Sequence, residues 1–304
     1  MPDRKFPLIT EIKGNSLDDG PGIRSVIFFK GCPLNCVWCQ NPETKDPDYE
    51  LSFDPERCIG ARECIKVCPE NAISPSNRYY VDRGLCTLCG ECVKVCPSKA
   101  FEVVGRYMDV EEIVEEVVKD KPFFEVSNGG VTLSGGEPAL FPEFAGRLLS
   151  RLKDEGIHTL IETSGMFNLK KFFEHIYPYL DLIYMDIKIF DRELHRKYTG
   201  VYNDTILKNF AVLNGKYLEG GVEILPRVPL IPGITDSDDN LRQIASFLVK
   251  NSAMKVEVLP YNPTWVPKLF KLGRESTYTN EVWMPQERVE YAREIFEDAG
   301  LRVI

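Results

Sequence analysis

After about position 105, short apolar runs alternate with stretches whose apolar residues recur at helical spacing, the signature of repeated βα units. Six strands are expected at Ser25–Phe29, Val131–Leu133, His158–Ile161, Leu182–Met185, Val222–Val228 and Lys255–Leu259, with a short edge at Leu301–Ile304. Asp109–Lys119, Glu143–Glu155, Thr205–Leu218, Asp239–Lys250 and Gln286–Ala299 carry the helical period and begin or end near Asp, Pro or Gly. Such alternation predicts an α/β fold, a partial (β/α)6 TIM-like barrel. The period breaks between about Ser52 and Val104, which reads as a small insert after the first strand. The expected domains are therefore an insert over 52–104 and a barrel built from 1–51 and 105–304.

Composition narrows the function classes. The 304 residues carry 37 Lys and Arg against 46 Asp and Glu, a net charge of −9 that argues against binding nucleic acid through its phosphates. No apolar run approaches the roughly 18 to 20 residues that span a bilayer. The opening residues lack the apolar core and small-residue cleavage site of a secretory leader, so a cytoplasmic protein is expected. In that setting the ten cysteines are metal ligands rather than disulfides.

All ten lie in the first third of the chain. Cys86-x2-Cys89-x2-Cys92-x3-Cys96-Pro97 is the bacterial ferredoxin run for [4Fe–4S] clusters, in which the fourth cysteine serves the neighbouring cluster. Cys58-x5-Cys64-x3-Cys68-Pro69 fits the same run with Ala61 in the slot of its second cysteine. Crossing of the two runs gives Cys86, Cys89, Cys92 and Cys68 to one complete cluster. Cys58, Cys64 and Cys96 go to another that lacks a fourth cysteine. Water, a carboxylate such as Glu63, or loss of that iron to leave [3Fe–4S] are open alternatives there, and zinc is the alternative metal. Cys32-x3-Cys36-x2-Cys39 is different in kind: three thiolates on one tight loop hold three irons of a cube and leave the fourth open to a ligand.

Active sites of βα barrels sit in loops after the C-terminal strand ends. Each expected strand is followed there by an unusual motif. These are the cysteine loop, Ser134-Gly135-Gly136-Glu137-Pro138, Glu162-Thr163-Ser164-Gly165, Asp186-Ile187-Lys188, Arg227 with Pro232-Gly233, and Pro260-Tyr261-Asn262. Paired glycines allow close backbone approach to a ligand. Glu137 can accept hydrogen bonds from an ammonium and Lys188 can pair with a carboxylate, so a zwitterionic amino acid is the natural guest.

The segment CPLNCVWC resembles the signature of the radical S-adenosylmethionine (SAM) superfamily, whose open iron chelates the amino and carboxylate groups of SAM. Trp38 holds the aromatic position of that signature, beside the adenine. Together with Asp19-Gly20-Pro21-Gly22-Ile23-Arg24, the Gly-Gly-Glu-Pro and Asp186–Lys188 motifs, His195-x2-Tyr198-Thr199-Gly200 with Asn203, and Leu259–Asn262, the chain resembles the glycyl-radical-enzyme activating enzymes with a two-cluster insert.

The resemblance implies one SAM-binding [4Fe–4S] cluster on Cys32, Cys36 and Cys39, and two auxiliary iron–sulfur clusters in a ferredoxin-like insert. It puts Gly136 and Glu137 at the methionyl amino end, Asp186 and Lys188 at the carboxylate end, and Ser164, Arg227 and Asn262 around the cofactor. Asn262 stands where many members have a histidine. Lys188 joins the three cysteines as catalytic. The implied reaction is reductive cleavage of SAM, fed by a flavodoxin or ferredoxin-type reductant. The resulting 5′-deoxyadenosyl radical takes a hydrogen from a glycine in the C-terminal loop of a partner glycyl radical enzyme, in an anaerobic cytoplasm. Another radical SAM maturase or mutase, and an iron–sulfur electron carrier, are the rival readings. His195 reads as a structural hydrogen-bonding group, while Trp265–Tyr278 reads equally as a docking or lid segment and as a packed loop.

Overall fold

The computed structural model describes residues 6–304. The first five, which belong to the expected 1–51 segment and to the leader reading, lie outside the described residues. The chain opens with β1 (Leu8–Ser16) and β2 (Arg24–Lys30), then enters the cysteine-rich piece with β3 (Glu50–Phe53), α1 (Glu63–Val67), α2 (Glu91–Val95) and β4 (Phe101–Val104). After α3 (Val110–Val118) and α4 (Lys121–Ser127) it continues through β5 (Gly130–Gly135), α5 (Pro142–Asp154), β6 (His158–Thr163), α6 (Leu169–Lys171) and β7 (Leu182–Asp186). The remainder is α7 (Arg192–Thr199), α8 (Asp204–Leu218), β8 (Glu223–Pro229), α9 (Asp238–Lys250), β9 (Lys255–Leu259), α10 (Val266–Leu272), α11 (Gln286–Asp298) and β10 (Arg302–Val303).

Eight strands form one sheet in the order β1-β2-β5-β6-β7-β8-β9-β10. From β2 to β10 every pairing is parallel, and only β1 runs antiparallel to its neighbour. Among the described residues no pairing joins β1 to β10, so the sheet is open. All six expected strands and the short C-terminal edge are present. The strand expected as the first is the second, because β1 precedes it, so the insert follows β2. Burial alternates along Leu8–Ser16 as on a half-covered edge strand, with charged residues facing out.

Alternation sets which side chains reach the inner face. On β7, Ile183 and Met185 are fully buried against the helices, which leaves Leu182, Tyr184 and Asp186 for the opposite face, where Leu160, Tyr184 and Leu225 form a separate small cluster. The helix α3 starts at Asp109, whose carboxylate accepts the Glu112 amide at 2.9 Å while Glu112 accepts the Asp109 amide at 2.8 Å. The insert has its own core, with Leu51, Phe53, Ile73, Val81 and Phe101 packed around the cysteines. No helix among the described residues is long and apolar enough to cross a membrane.

The segment after β9 acts as a strap. In α10, Lys268 Nζ donates to Gln40 O and to Glu43 Oε1, and Lys271 Nζ donates to Asp54 Oδ2. Arg274 reaches Pro42 O and Glu50, and Ser276 Oγ donates to Val37 O. From the insert, Arg83 Nη2 donates at 3.0 Å both to Leu51 O and to Lys271 O, and Tyr79 donates to Glu275. Within Trp265–Tyr278, Trp265 is 1% exposed and its indole N–H donates to Tyr261, so the segment is packed at that end.

Candidate functional site

Cys32, Cys36 and Cys39 lie on the loop that leaves β2, and main-chain bonds fix that loop from both sides. The Gly31 and Cys32 amides donate to Thr44 O and Lys45 O, while the Asn35 and Val37 amides donate to Thr199 O and Tyr198 O. The His-x2-Tyr-Thr-Gly motif is therefore a cradle for the cysteine loop. His195 is 1% exposed and its Nδ1 lies 2.7 Å from Val201 O. A carbonyl only accepts, so Nδ1 carries the proton, and the ring shapes the turn after α7 as a structural donor.

Burial raises the thiols of all three loop cysteines, Cys36 to about 12, with Lys188 acting against the shift at Cys36. Three soft donors in a dry wall, each needing a cation to become a thiolate, match an iron–sulfur cluster. The adjoining cavity has a volume of about 740 Å³. Trp38, Ser134, Gly136, Ser164, Lys188 and Asn262 all line it, as do Asp186 and Arg227. Gly136 admits no side chain, since a Cβ there would stand 2.2 Å from Gly31 O.

Buried charges order the wall. Arg227 donates through Nε to Asp186 Oδ1 at 3.1 Å and through Nη1 to Glu162 Oε1 at 2.5 Å, and Lys188 Nζ donates to Asp186 Oδ2 at 2.6 Å. Ser134 Oγ donates to Glu162 Oε2 at 2.6 Å. Burial opposes ionisation at Asp186, yet Lys188 and Arg227 outweigh it and hold that carboxyl below its ordinary range. Lys188 moves the other way: burial lowers it, but Asp186 and Cys36 leave it raised.

Glu137 departs from the expected role. Its residue is fully buried and its carboxylate accepts Thr163 Oγ1 at 2.8 Å, Ser164 N at 2.8 Å and Ser164 Oγ at 2.6 Å. It stands behind the wall and braces the loop after β6, whereas the backbone at Gly135–Gly136 forms the cavity surface. The lining also includes Tyr184, Glu257 and Arg293, which the motifs do not indicate. Glu257 had one visible signal, a charged residue within the otherwise apolar Val256–Leu259 run.

The insert holds two smaller cysteine-lined cavities. One is bounded by Cys68, Cys86, Cys89 and Cys92, the other by Cys58, Cys64 and Cys96 with Ala61 and Tyr80. Pseudo-twofold symmetry extends to the sulfurs, since the Ala72 amide donates to Cys68 Sγ at 3.3 Å and the Ala100 amide to Cys96 Sγ at 3.2 Å. Among the described residues no three His, Cys, Asp or Glu side chains converge as ligands of a single metal ion would. Cysteines spread around the rim of a cavity suit a cluster, whose irons stand apart.

Comparison with known proteins agrees with this geometry. The family described as the Radical SAM superfamily matches residues 84–245, a 4Fe-4S dicluster domain matches 57–100, and a 4Fe-4S single cluster domain matches 18–74, which includes the Cys32–Cys39 loop. The benzylsuccinate synthase activating enzyme of Thauera aromatica is 40% identical over 282 residues, covering 90% of this chain and 84% of that protein. The trans-4-hydroxy-L-proline dehydratase activating enzyme of Clostridioides difficile is 38% identical over 295 residues, covering 96% of each. Among solved structures, a radical SAM methyltransferase from Sphaerobacter thermophilus shares the fold, with a TM-score of 0.55 at 13% identity over 97% of this chain and 76% of that one.

Proposed function

The chain belongs to the radical SAM superfamily, among the activating enzymes of glycyl radical enzymes, and we propose which of its residues carry that activity. When bound, the cluster and SAM supply a reductive cleavage to a 5′-deoxyadenosyl radical, which takes a hydrogen from a glycine of the partner enzyme. Cys32, Cys36 and Cys39 hold the SAM-binding cluster. The Gly136 backbone meets the amino end of SAM, and Glu137 keeps the neighbouring Thr163–Ser164 turn in place. Lys188, oriented by Asp186, faces the carboxylate, and Trp38 and Asn262 flank the remainder with Ser164 and Arg227. The open sheet acts as a partial barrel of residues 1–51 and 105–304, whose inner face lines the cavity.

Residues 52–104 form the insert with two auxiliary clusters. Cys68, Cys86, Cys89 and Cys92 take one, and Cys58, Cys64 and Cys96 take the other, whose fourth iron has no cysteine. A small flavodoxin or ferredoxin-type protein delivers the electron in a reducing, anaerobic cytoplasm. The observation that carries the reading is the part-buried three-cysteine loop opening onto one cavity with Gly136 and Lys188.

The test is 5′-deoxyadenosine formation by anaerobically loaded protein given SAM and dithionite, beside Cys36→Ala. A candidate large enzyme with a C-terminal glycine loop, encoded next to this chain, is then added and its glycyl radical read by electron paramagnetic resonance. Product from the natural chain alone, followed by the radical signal, is expected. No product from a protein with verified iron would leave only an electron carrier.

A further inference from the structure

Asp18 and Asp19 line the end of the cavity by the turn after β1, and of the four carboxylates elsewhere at or just behind the wall three are engaged. Glu137 holds Thr163 and Ser164, Glu162 holds Ser134 and Arg227, and Asp186 holds Lys188 and Arg227. Glu257, at the centre of β9, differs: its Oε2 is buried and accepts no hydrogen bond among the described residues. Its register partner is Arg227, but that guanidinium directs Nε to Asp186 and Nη1 to Glu162. A buried carboxylate oxygen without a donor has lost hydration with nothing in exchange, which folded proteins rarely tolerate. Burial and the like charges of Glu162 and Asp186 push the Glu257 carboxyl up, against the pull of Arg227 and Arg293, as expected of a group awaiting a donor.

The surroundings define that donor. The cavity that Glu257 lines runs on to Leu17 and Gly20, in the turn after β1, and to Ile304, just past β10. These residues follow the two strands that end the sheet, so the cavity reaches both open edges. Leu17 is 70% exposed and Ile304 48%, and Asp18 and Asp19 line the cavity beside Leu17, a border of apolar and acceptor groups that suits a main chain with N–H donors rather than an anionic small molecule. A peptide N–H is the donor Glu257 lacks. Resting on the activase reading, we propose that Glu257 is a substrate-binding residue that accepts a main-chain N–H of the partner's glycine loop and so sets the glycine Cα before the cysteine loop.

The experiment uses the natural chain, Glu257→Met and Glu257→Gln with the partner enzyme found above. It reads the KM for that partner and the ratio of glycyl radical to 5′-deoxyadenosine formed. The methionine variant raises KM at least tenfold and lowers the ratio at least fivefold. The glutamine variant, which keeps an acceptor oxygen without the charge, falls between. Natural values in both variants overturn the proposal. So does a parallel loss of radical and 5′-deoxyadenosine that leaves the ratio intact, because that marks a structural role or a contact to SAM. Where the methionine variant fails to fold, the KM of the glutamine variant decides alone. If the natural chain makes 5′-deoxyadenosine but no glycyl radical, the activase reading fails, and this proposal with it.

Discussion

His195 ties the behaviour of single residues to pH. Burial holds its imidazole below the ordinary value, the Val201 bond acts against the shift, and Lys188 adds to it. The folded state therefore favours the neutral ring, while the unfolded chain takes up a proton near pH 6.5. The stability that follows is complete above that pH and is lost as pH falls toward the lower folded value. His195→Gln keeps an N–H for Val201 but cannot titrate. The gap in urea midpoint between the natural chain and this variant is expected to narrow from pH 7.5 to pH 5.5; a constant gap would show that the ring does not titrate with folding.

At this scale the three groups of cysteines, each lining its own cavity, were legible because their spacing is written along the chain. Glu137 was legible as important but not as a brace, since its neighbours Thr163 and Ser164 are fixed only by folding. Glu257 and Tyr184 carried almost no signal. One charge in an apolar strand does not tell which face it lies on.

Among the elements, the six parallel strands followed from their apolar runs, and α3 from its cap at Asp109. β1 was missed because its outward Glu11 and Lys13 dilute the run and its pairing is antiparallel. The α10 strap was harder to foresee. It is held by side chains reaching main-chain oxygens in distant loops, a pattern without periodicity. Arg274 links the strap to Pro42 O and Glu50, part-buried bonds from a charged donor worth about 1.5–3 kcal/mol each. Arg274→Met is expected to raise amide exchange in residues 32–53 at least tenfold while leaving α5 and β6 protected. Equal protection in both variants would mean that the remaining contacts of the strap suffice.

For the whole molecule, the sequence runs of cysteines and the cavities they line do not coincide. Cys96 follows Cys92 by one turn of α2 yet lines the other cavity, with Cys58 and Cys64. Cys96→Ser is expected to alter only the paramagnetic signal of the three-cysteine centre, and Cys92→Ser only that of the four-cysteine centre. Loss of the same signal from both variants would refute the crossed assignment. The α/β class and the insert were readable from periodicity, whereas the open edge between β1 and β10 depended on a strand the pattern hid.

The strap also imposes an order on the birth of the protein. Its bonds join residues such as Lys271 and Asp54, which lie 217 positions apart in the chain. During translation at about 5–20 residues per second, the cysteine-rich piece is complete roughly 10–30 s before α10 is made. Throughout that interval the nascent insert has the residues of its core but not the clasp that α10 provides. A ribosome that stops before Val266 releases a chain whose Cys32–Cys39 loop still has its cradle at Tyr198 and Thr199, but whose insert lacks the bonds that Lys271 makes to it.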